Sequence, residues 1–136
     1  MRMTAKAEYA CLAMIELAKL GENGSPKRVR DIAEARGIPN HYLVQILLRL
    51  KTAGLVQSAR GSAGGYQLAR RAEDISVVDV IDAIDGQRGL PRKSHPRYAP
   101  ELTEVFELAR EAERHVLAST NIARLAFPVL SNDWVL

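Results

Sequence analysis

The chain has 136 residues, of which 47% are apolar and only 5% aromatic, so we expect one domain with a core of Ala, Leu, Ile and Val, a composition that favours helices over sheet. The single cysteine, Cys11, excludes an internal disulfide and, beside three histidines, leaves few ligands for a zinc or iron–sulfur site. The formal net charge is +3, but residues 1–71 hold 12 Lys and Arg against 5 Asp and Glu, whereas residues 72–136 hold 7 against 11, so the first half is expected to face a polyanion.

Three helices are predicted in the basic half. Thr4 is predicted to cap the first, whose apolar positions recur at helical spacing until Gly21. Charged residues interrupt this helix, so it is neither a signal peptide nor a membrane span, and we expect a cytosolic protein with no membrane partner. A short second helix ends at Gly37, and Asn40 is predicted to cap the third. The apolar stripe of the third helix consists of Leu43, Ile46, Leu47 and Leu50.

The second and third helices fit a helix-turn-helix pattern, with small Ala33 at the crossing and Gly37 in the turn. Ordinary helical hairpins share this spacing, so the pattern alone leaves simple packing open. Two short runs of β character, "LVQSA" and "YQLA", then flank "RGSAGG" and predict a hairpin with a glycine-permitted turn. A basic hairpin directly after a helix-turn-helix makes a winged helix.

The second half contains two further predicted helical segments. Ser76 and Asp79 form a capping box that opens a helix ending at Gly86, and residues 87–100 read as a loop. A long helix then runs from Glu101 to about Ala118, followed by a fresh cap in "STN". Its apolar face is expected to pack on a second subunit. The predicted dimerisation residues are Leu102, Val105, Phe106, Ala109, Ala112 and Val116.

The outward face of the third helix and the glycine-rich turn are the predicted contacts to double-stranded DNA. Gln45 can pair with adenine, Arg49 with guanine or phosphate, and Arg60 with phosphates or a narrow minor groove. A solvated helix face and an incidental charge in a turn are the alternatives. The predicted DNA-binding residues are Asn40, His41, Tyr42, Gln45, Arg49, Arg60, Gly61, Ser62, Gly64 and Gly65.

At "YLVQILLRLKTAGLVQSARGSAGGY" and "ISVVDVIDAIDG" the chain resembles the Rrf2 family of bacterial winged-helix transcription regulators. The resemblance implies a mainly α fold with a small β-hairpin wing: a winged helix-turn-helix domain over residues 1–86, the loop over 87–100, and a dimerisation helix and tail over 101–136. It also implies a homodimer on a palindromic operator. Tyr42, Gln45, Arg60, Gly64 and Gly65 match the family's DNA-facing motif by position. Many members carry an acidic residue where this chain has Val44.

Iron–sulfur members of the family place three cysteines in the loop that corresponds to residues 87–100, and this chain has none there. We therefore expect no cluster, no other cofactor and no metal site. Cys11 falls on the apolar face of the first helix, where an inert buried thiol is favoured over a redox sensor. His95 and His115 are far apart and lack further ligands.

These patterns predict a sequence-specific DNA-binding transcriptional regulator that acts as a repressor. The alternative is a winged-helix interaction module that regulates a metabolic enzyme or another acidic partner, since family members without clusters can be regulated by association with such an enzyme. Salt dependence combined with sequence preference would separate the two. An enzyme is the weakest hypothesis: the glycine-rich turn lacks the Lys and Ser or Thr of a nucleotide-binding loop, and no catalytic residues are predicted.

Overall fold

A computed structural model describes residues 3–20, 25–60, 64–86 and 99–128, which form helices around one two-stranded antiparallel sheet. The predicted fold class is confirmed. Most of the predicted loop at 87–100 lies outside the described residues. None of the helices in the described ranges is long and apolar enough to cross a membrane. The elements are α1 (Ala5–Ala18), α2 (Val29–Arg36), α3 (Asn40–Thr52), β1 (Val56–Ala59), β2 (Gly65–Leu68), a 3₁₀ turn (Ala72–Asp74), α4 (Val77–Asp85), α5 (Pro100–Ala118) and α6 (Ile122–Ala126).

Helix α1 lies at the centre of the core and contacts α2, α3, α4, α6 and β2. It begins as predicted, because the side chain of Thr4 accepts a hydrogen bond from the backbone nitrogen of Ala7 at 3.1 Å. Small residues on its buried faces allow several neighbours to approach closely. Its fully covered alanines are Ala7, Ala10 and Ala13.

The turn between α2 and α3 sets the angle at which α3 leaves the core. Gly37 ends α2 in the left-handed conformation at φ 64°, as the sequence predicted. The predicted cap of α3 is wrong by one residue: Pro39 precedes the helix and Asn40 is its first residue, with no side-chain capping bond. Proline fixes φ, here at −59°, and its carbonyl accepts the amide of Leu43, so the boundary falls earlier.

The hairpin pairs β1 with β2 in the predicted place, with Val56 opposite Leu68 and Ala59 opposite Gly65. A third backbone segment joins it. Lys27 donates its amide to the carbonyl of Tyr66 at 2.9 Å and accepts the amide of Tyr66 at 2.8 Å. The segment before α2 therefore holds the hairpin from the other side.

Helices α4, α5 and α6 follow the predicted order. Both bonds of the Ser76 and Asp79 capping box are present, and α5 begins at Pro100, one residue before the predicted start. Asn121 caps α6, which packs on α1 and on the 3₁₀ turn so that Ile122 is fully buried in the core. The residues after α5 therefore belong to the same core as α1, α2, α3 and α4.

Candidate nucleic-acid interface

The outer face of α3 carries most of the predicted DNA-binding side chains. Leu43, Ile46, Leu47 and Leu50 are buried, and successive residues of a helix are turned by about 100°, so the opposite side faces solvent. The structure places the side chains of Asn40, His41, Tyr42 and Gln45 in exposed positions there. The N-terminal half of α3 thus presents donors and acceptors to solvent along one surface.

An aromatic cluster holds the start of α3. The ring of Tyr42 lies 4.3 Å from the ring of His41 and 6.4 Å from the ring of Tyr9 in α1. Such centroid distances are those of favourable tilted aromatic pairs. Tyr42 is therefore fixed at the helix start while it remains 39% exposed.

Arg49 is exposed like His41 and Gln45, but its guanidinium also has a hydrogen-bond partner within the protein. Its Nη1 donates to the backbone oxygen of Ile84 at 2.8 Å, so the side chain reaches sideways to the last turn of α4. The predicted DNA contact of Arg49 remains a prediction, but its guanidinium already has a partner within the protein.

Two apolar residues on the outer face of α3 were given no role by sequence reasoning. Val44 is 44% exposed and Leu48 is 52% exposed, one turn further along. An apolar side chain on a helix in the major groove can contact the methyl group of thymine. The exposure of Leu48 follows from its position opposite the buried stripe, which the sequence already contained.

The hairpin lies beside the C-terminal end of α3, where the Nζ of Lys51 donates to the hydroxyl of Ser58 at 2.9 Å. Arg60 follows β1 and is exposed, and Gly64 directly precedes β2. The predicted contacts Gly61 and Ser62 lie outside the described residues.

Gly65 has a structural reason to be glycine that sequence reasoning missed. Its φ is 156°, and a Cβ there would collide with the backbone oxygen of Lys27 and lie 2.6 Å from the carbonyl carbon. Gly65 was predicted as a DNA contact, and that contact stays a prediction. The structure explains this glycine by close approach of the segment that contains Lys27.

A buried carboxylate, Glu16 in α1, anchors that segment. Its Oε2 lies 3.1 Å from the Nζ of Lys27, and its Oε1 accepts from the Nε of Arg36 at 2.7 Å. Burial alone would raise the pKa of Glu16, but the hydrogen bonds and charges of Lys27 and Arg36 outweigh it and lower the pKa. The signal in the sequence was an acidic residue on an otherwise apolar part of α1.

Replacing Glu16 with Gln should lower the free energy of unfolding by about 1–3 kcal/mol, because two partly buried cations lose their negative partner and one of its two acceptor oxygens becomes a donor. The lowered pKa means that the folded state prefers the carboxylate. The contribution is therefore complete above the ordinary pKa of an unfolded glutamate, about 4.3, and is lost as the pH falls through the lower pKa of the folded state. Urea unfolding of both proteins between pH 7 and pH 3 would measure the difference.

The matched control is Glu73→Gln, which removes the surface ion pair between Glu73 and Arg71 at 3.3 Å. Exposed pairs of this kind contribute at most about 1 kcal/mol. If Glu16→Gln and Glu73→Gln had equal effects at every pH, the anchoring role of Glu16 would be wrong.

The profile of the Rrf2 family, described as an iron-dependent transcriptional regulator, matches residues 3–128. The chain belongs to the Rrf2 family. As an Rrf2 regulator it is a DNA-binding protein of the helix-turn-helix type, so α2 and α3 are the helix-turn-helix and the β1–β2 hairpin is the wing.

Individual relatives of this Rrf2 regulator agree with the family assignment. A Mycobacterium tuberculosis protein named as HTH-type transcriptional regulator Rv1287 is 43% identical over 132 residues, which cover 93% of this chain and 81% of that protein. The HTH-type transcriptional regulator IscR of Escherichia coli is 46% identical over 85 residues, 62% of this chain and 52% of IscR. The structure of CymR, the global cysteine regulator of B. subtilis, superposes with a TM-score of 0.84 at 33% identity and covers 93% of this chain and 96% of CymR.

The donor set of this Rrf2 regulator does not fit a cysteine-ligated iron centre. Its single cysteine, Cys11, is buried in α1, and burial together with the charge of Glu8 raises the pKa of the thiol to about 11. The thiolate is the form that ligates iron, and it is disfavoured here. Among residues 3–20, 25–60, 64–86 and 99–128, no three His, Cys, Asp or Glu side chains are grouped so that they could hold a metal ion.

Proposed function

We propose that this Rrf2 regulator binds a palindromic operator as a homodimer and represses transcription. The observation that carries the proposal is helix α5. None of its residues is buried, and its apolar face, including Val105 at 57% and Val116 at 62% exposure, is open to solvent. A contiguous apolar face on a long helix is suited to an isologous contact with the same face of a second copy.

In this proposal α3 enters the major groove with its N-terminal half, and the wing reaches the adjacent backbone or minor groove. The exposure of His41, Tyr42 and Gln45 at the start of α3 supports the first contact, because the N-terminal residues of a recognition helix read the bases. Arg60 at the end of β1 supports the second. Residues 1–86 would then supply DNA binding, and residues 101–136 would supply dimerisation.

The proposed regulator works without an iron–sulfur cluster. The family's description names iron, but the thiol of Cys11 favours its protonated form, and no second cysteine occurs in the sequence. The regulatory signal would therefore reach the protein by another route, such as association with a protein partner.

The proposal is tested by a gel shift with the purified protein and the DNA upstream of its own gene. Unrelated DNA serves as competitor, and the experiment is done at 50 and 200 mM salt. We expect a discrete complex that survives competition and weakens by about a thousandfold or more at the higher salt, as phosphate contacts require. Loss of all binding under competition would contradict the proposal and favour the protein-interaction alternative.

Substitution of Gln45 and of Arg60 should separate base readout from backbone contact. Gln45→Ala is expected to reduce discrimination at one position of each half-site by about 1–3 kcal/mol. Arg60→Ala is expected to weaken binding to all sequences and to reduce the salt slope by about 1. Titration of both variants against operators altered at single positions measures these effects. If Gln45→Ala weakened binding to every sequence equally, its role in base readout would be wrong.

A further inference from the structure

Two helices of the protein, α3 and α5, are tied to the last turn of α4. Arg49 of α3 donates to the backbone oxygen of Ile84 at 2.8 Å. Arg114 of α5 makes a two-pronged contact with Asp82, with nitrogen to oxygen distances of 2.6 and 3.2 Å. The recognition helix and the long helix therefore attach to α4 only two residues apart.

The contact of Arg49 is directional. The last carbonyl oxygens of a helix accept no hydrogen bond from the helix itself. The partial negative charge at the helix C-terminus also attracts a cation. The oxygen of Ile84 is one of these carbonyl oxygens, because α4 ends at Asp85. A guanidinium bonded to it adds a directional link between α3 and the end of α4, beside the apolar packing of the two helices.

Arg114 supplies the corresponding link on the other side. Its paired hydrogen bonds with Asp82 constrain orientation as well as distance, and the hydrogen bond to Asp82 raises the pKa of Arg114. Leu117 of α5 packs against the core, and the contact of Arg114 with Asp82 adds an oriented polar link between α5 and α4.

We propose that Arg49 is a positioning residue that fixes the recognition helix relative to the dimer helix and thereby sets the spacing of the two operator half-sites. The inference rests on the proposed function, because α5 must carry the second copy. The links run from α5 through Arg114 to α4, and from α4 through Arg49 to α3. Arg49 would act on DNA through geometry and make no essential contact with a base or a phosphate.

The experiment is a spacing series on the palindromic operator bound by the wild-type protein. Adding or removing one central base pair moves the half-sites by about 3.4 Å and rotates them by about 35°. The wild type should lose binding on the order of 100-fold on either altered operator, because the two recognition helices no longer fit together. On the operator with natural spacing, Arg49→Met should bind about tenfold more weakly than the wild type, the factor that corresponds to one hydrogen bond. On the operators with altered spacing, the affinity of Arg49→Met should fall by less than about a further tenfold.

Salt titration distinguishes positioning from phosphate contact. Arg49→Met should keep the salt slope of the wild type, whereas Arg60→Ala should lower the slope by about 1 and keep the strict spacing. A lowered slope with strict spacing in Arg49→Met would overturn the proposal and assign Arg49 to a phosphate.

Arg114→Met provides a second test at a residue with no predicted DNA contact. This substitution breaks the link between α5 and Asp82 of α4. It should therefore relax the preference for the natural half-site spacing, as Arg49→Met does, while the protein stays dimeric. Strict spacing in either folded variant overturns the inference, and if Arg49→Met does not fold, Arg114→Met decides alone. Absence of operator-specific binding by the wild type would instead overturn the proposed function, and this inference with it.

Discussion

Replacing Val105 with Asp is expected to convert the proposed homodimer into monomers. Val105 lies on the exposed apolar face of α5, and an isologous interface would bury the new carboxylate twice. A cost of about 2–4 kcal/mol for each copy is typical of a central interface residue, which raises the dissociation constant by about a thousandfold or more. Sedimentation equilibrium at micromolar protein would measure the change.

The matched control is Glu111→Lys, a charge change elsewhere on α5. Glu111 lies on the charged side of the helix, away from Val105, so this variant should remain dimeric. Operator binding should fall with dimerisation in Val105→Asp and stay unchanged in Glu111→Lys. A Val105→Asp protein that stays dimeric at the same concentration would show that the interface lies elsewhere.

Replacing Gly65 with Ala is expected to destabilise the wing by about 2–4 kcal/mol, the combined effect of an unfavourable backbone conformation and a steric clash. The added methyl group would meet the carbonyl group of Lys27 and lie 3.0 Å from the backbone nitrogen of Arg28. Backbone atoms that are hydrogen-bonded to Tyr66 cannot move aside without breaking those bonds. Urea unfolding gives the loss of stability.

Gly37→Ala is the control, because Gly37 also has a positive φ, 64°, but a Cβ there would have no atom within 4 Å. Only the cost of the left-handed conformation applies, about 1–2 kcal/mol. Equal losses in the two variants would mean that the contact with Lys27 does not matter.

The order of the elements could be predicted from the sequence because each rests on a local signal. Thr4, Gly37, the Ser76 box and Gly86 mark helix ends through their own backbone or side-chain preferences. The hairpin followed from glycines between two β-prone runs. The start of α3 was wrong by one residue because the rule for Asn as a cap competed with the fixed backbone of Pro39.

Contacts between distant residues could not be predicted in this way. Glu16 and Lys27 are 11 positions apart, and Arg49 and Ile84 are 35 apart. No periodicity in the sequence relates such residues. The sequence pattern of a charged residue on a helix face is also the same whether its side chain contacts solvent or the end of a neighbouring helix. The predicted DNA contacts rely on exposure and chemistry, both visible in the sequence, whereas the role of Arg49 depends on where α4 ends.

The backbone bridge between Lys27 and Tyr66 also protects the wing from unwanted association. A strand at the margin of a sheet offers unpaired amide and carbonyl groups on which another chain can assemble. Here both groups of Tyr66 on the open side of β2 are already occupied, and a lysine lies at that margin. The paired backbone of Tyr66 therefore hinders strand pairing between two protein molecules through β2, and aggregation through this part of the wing is reduced.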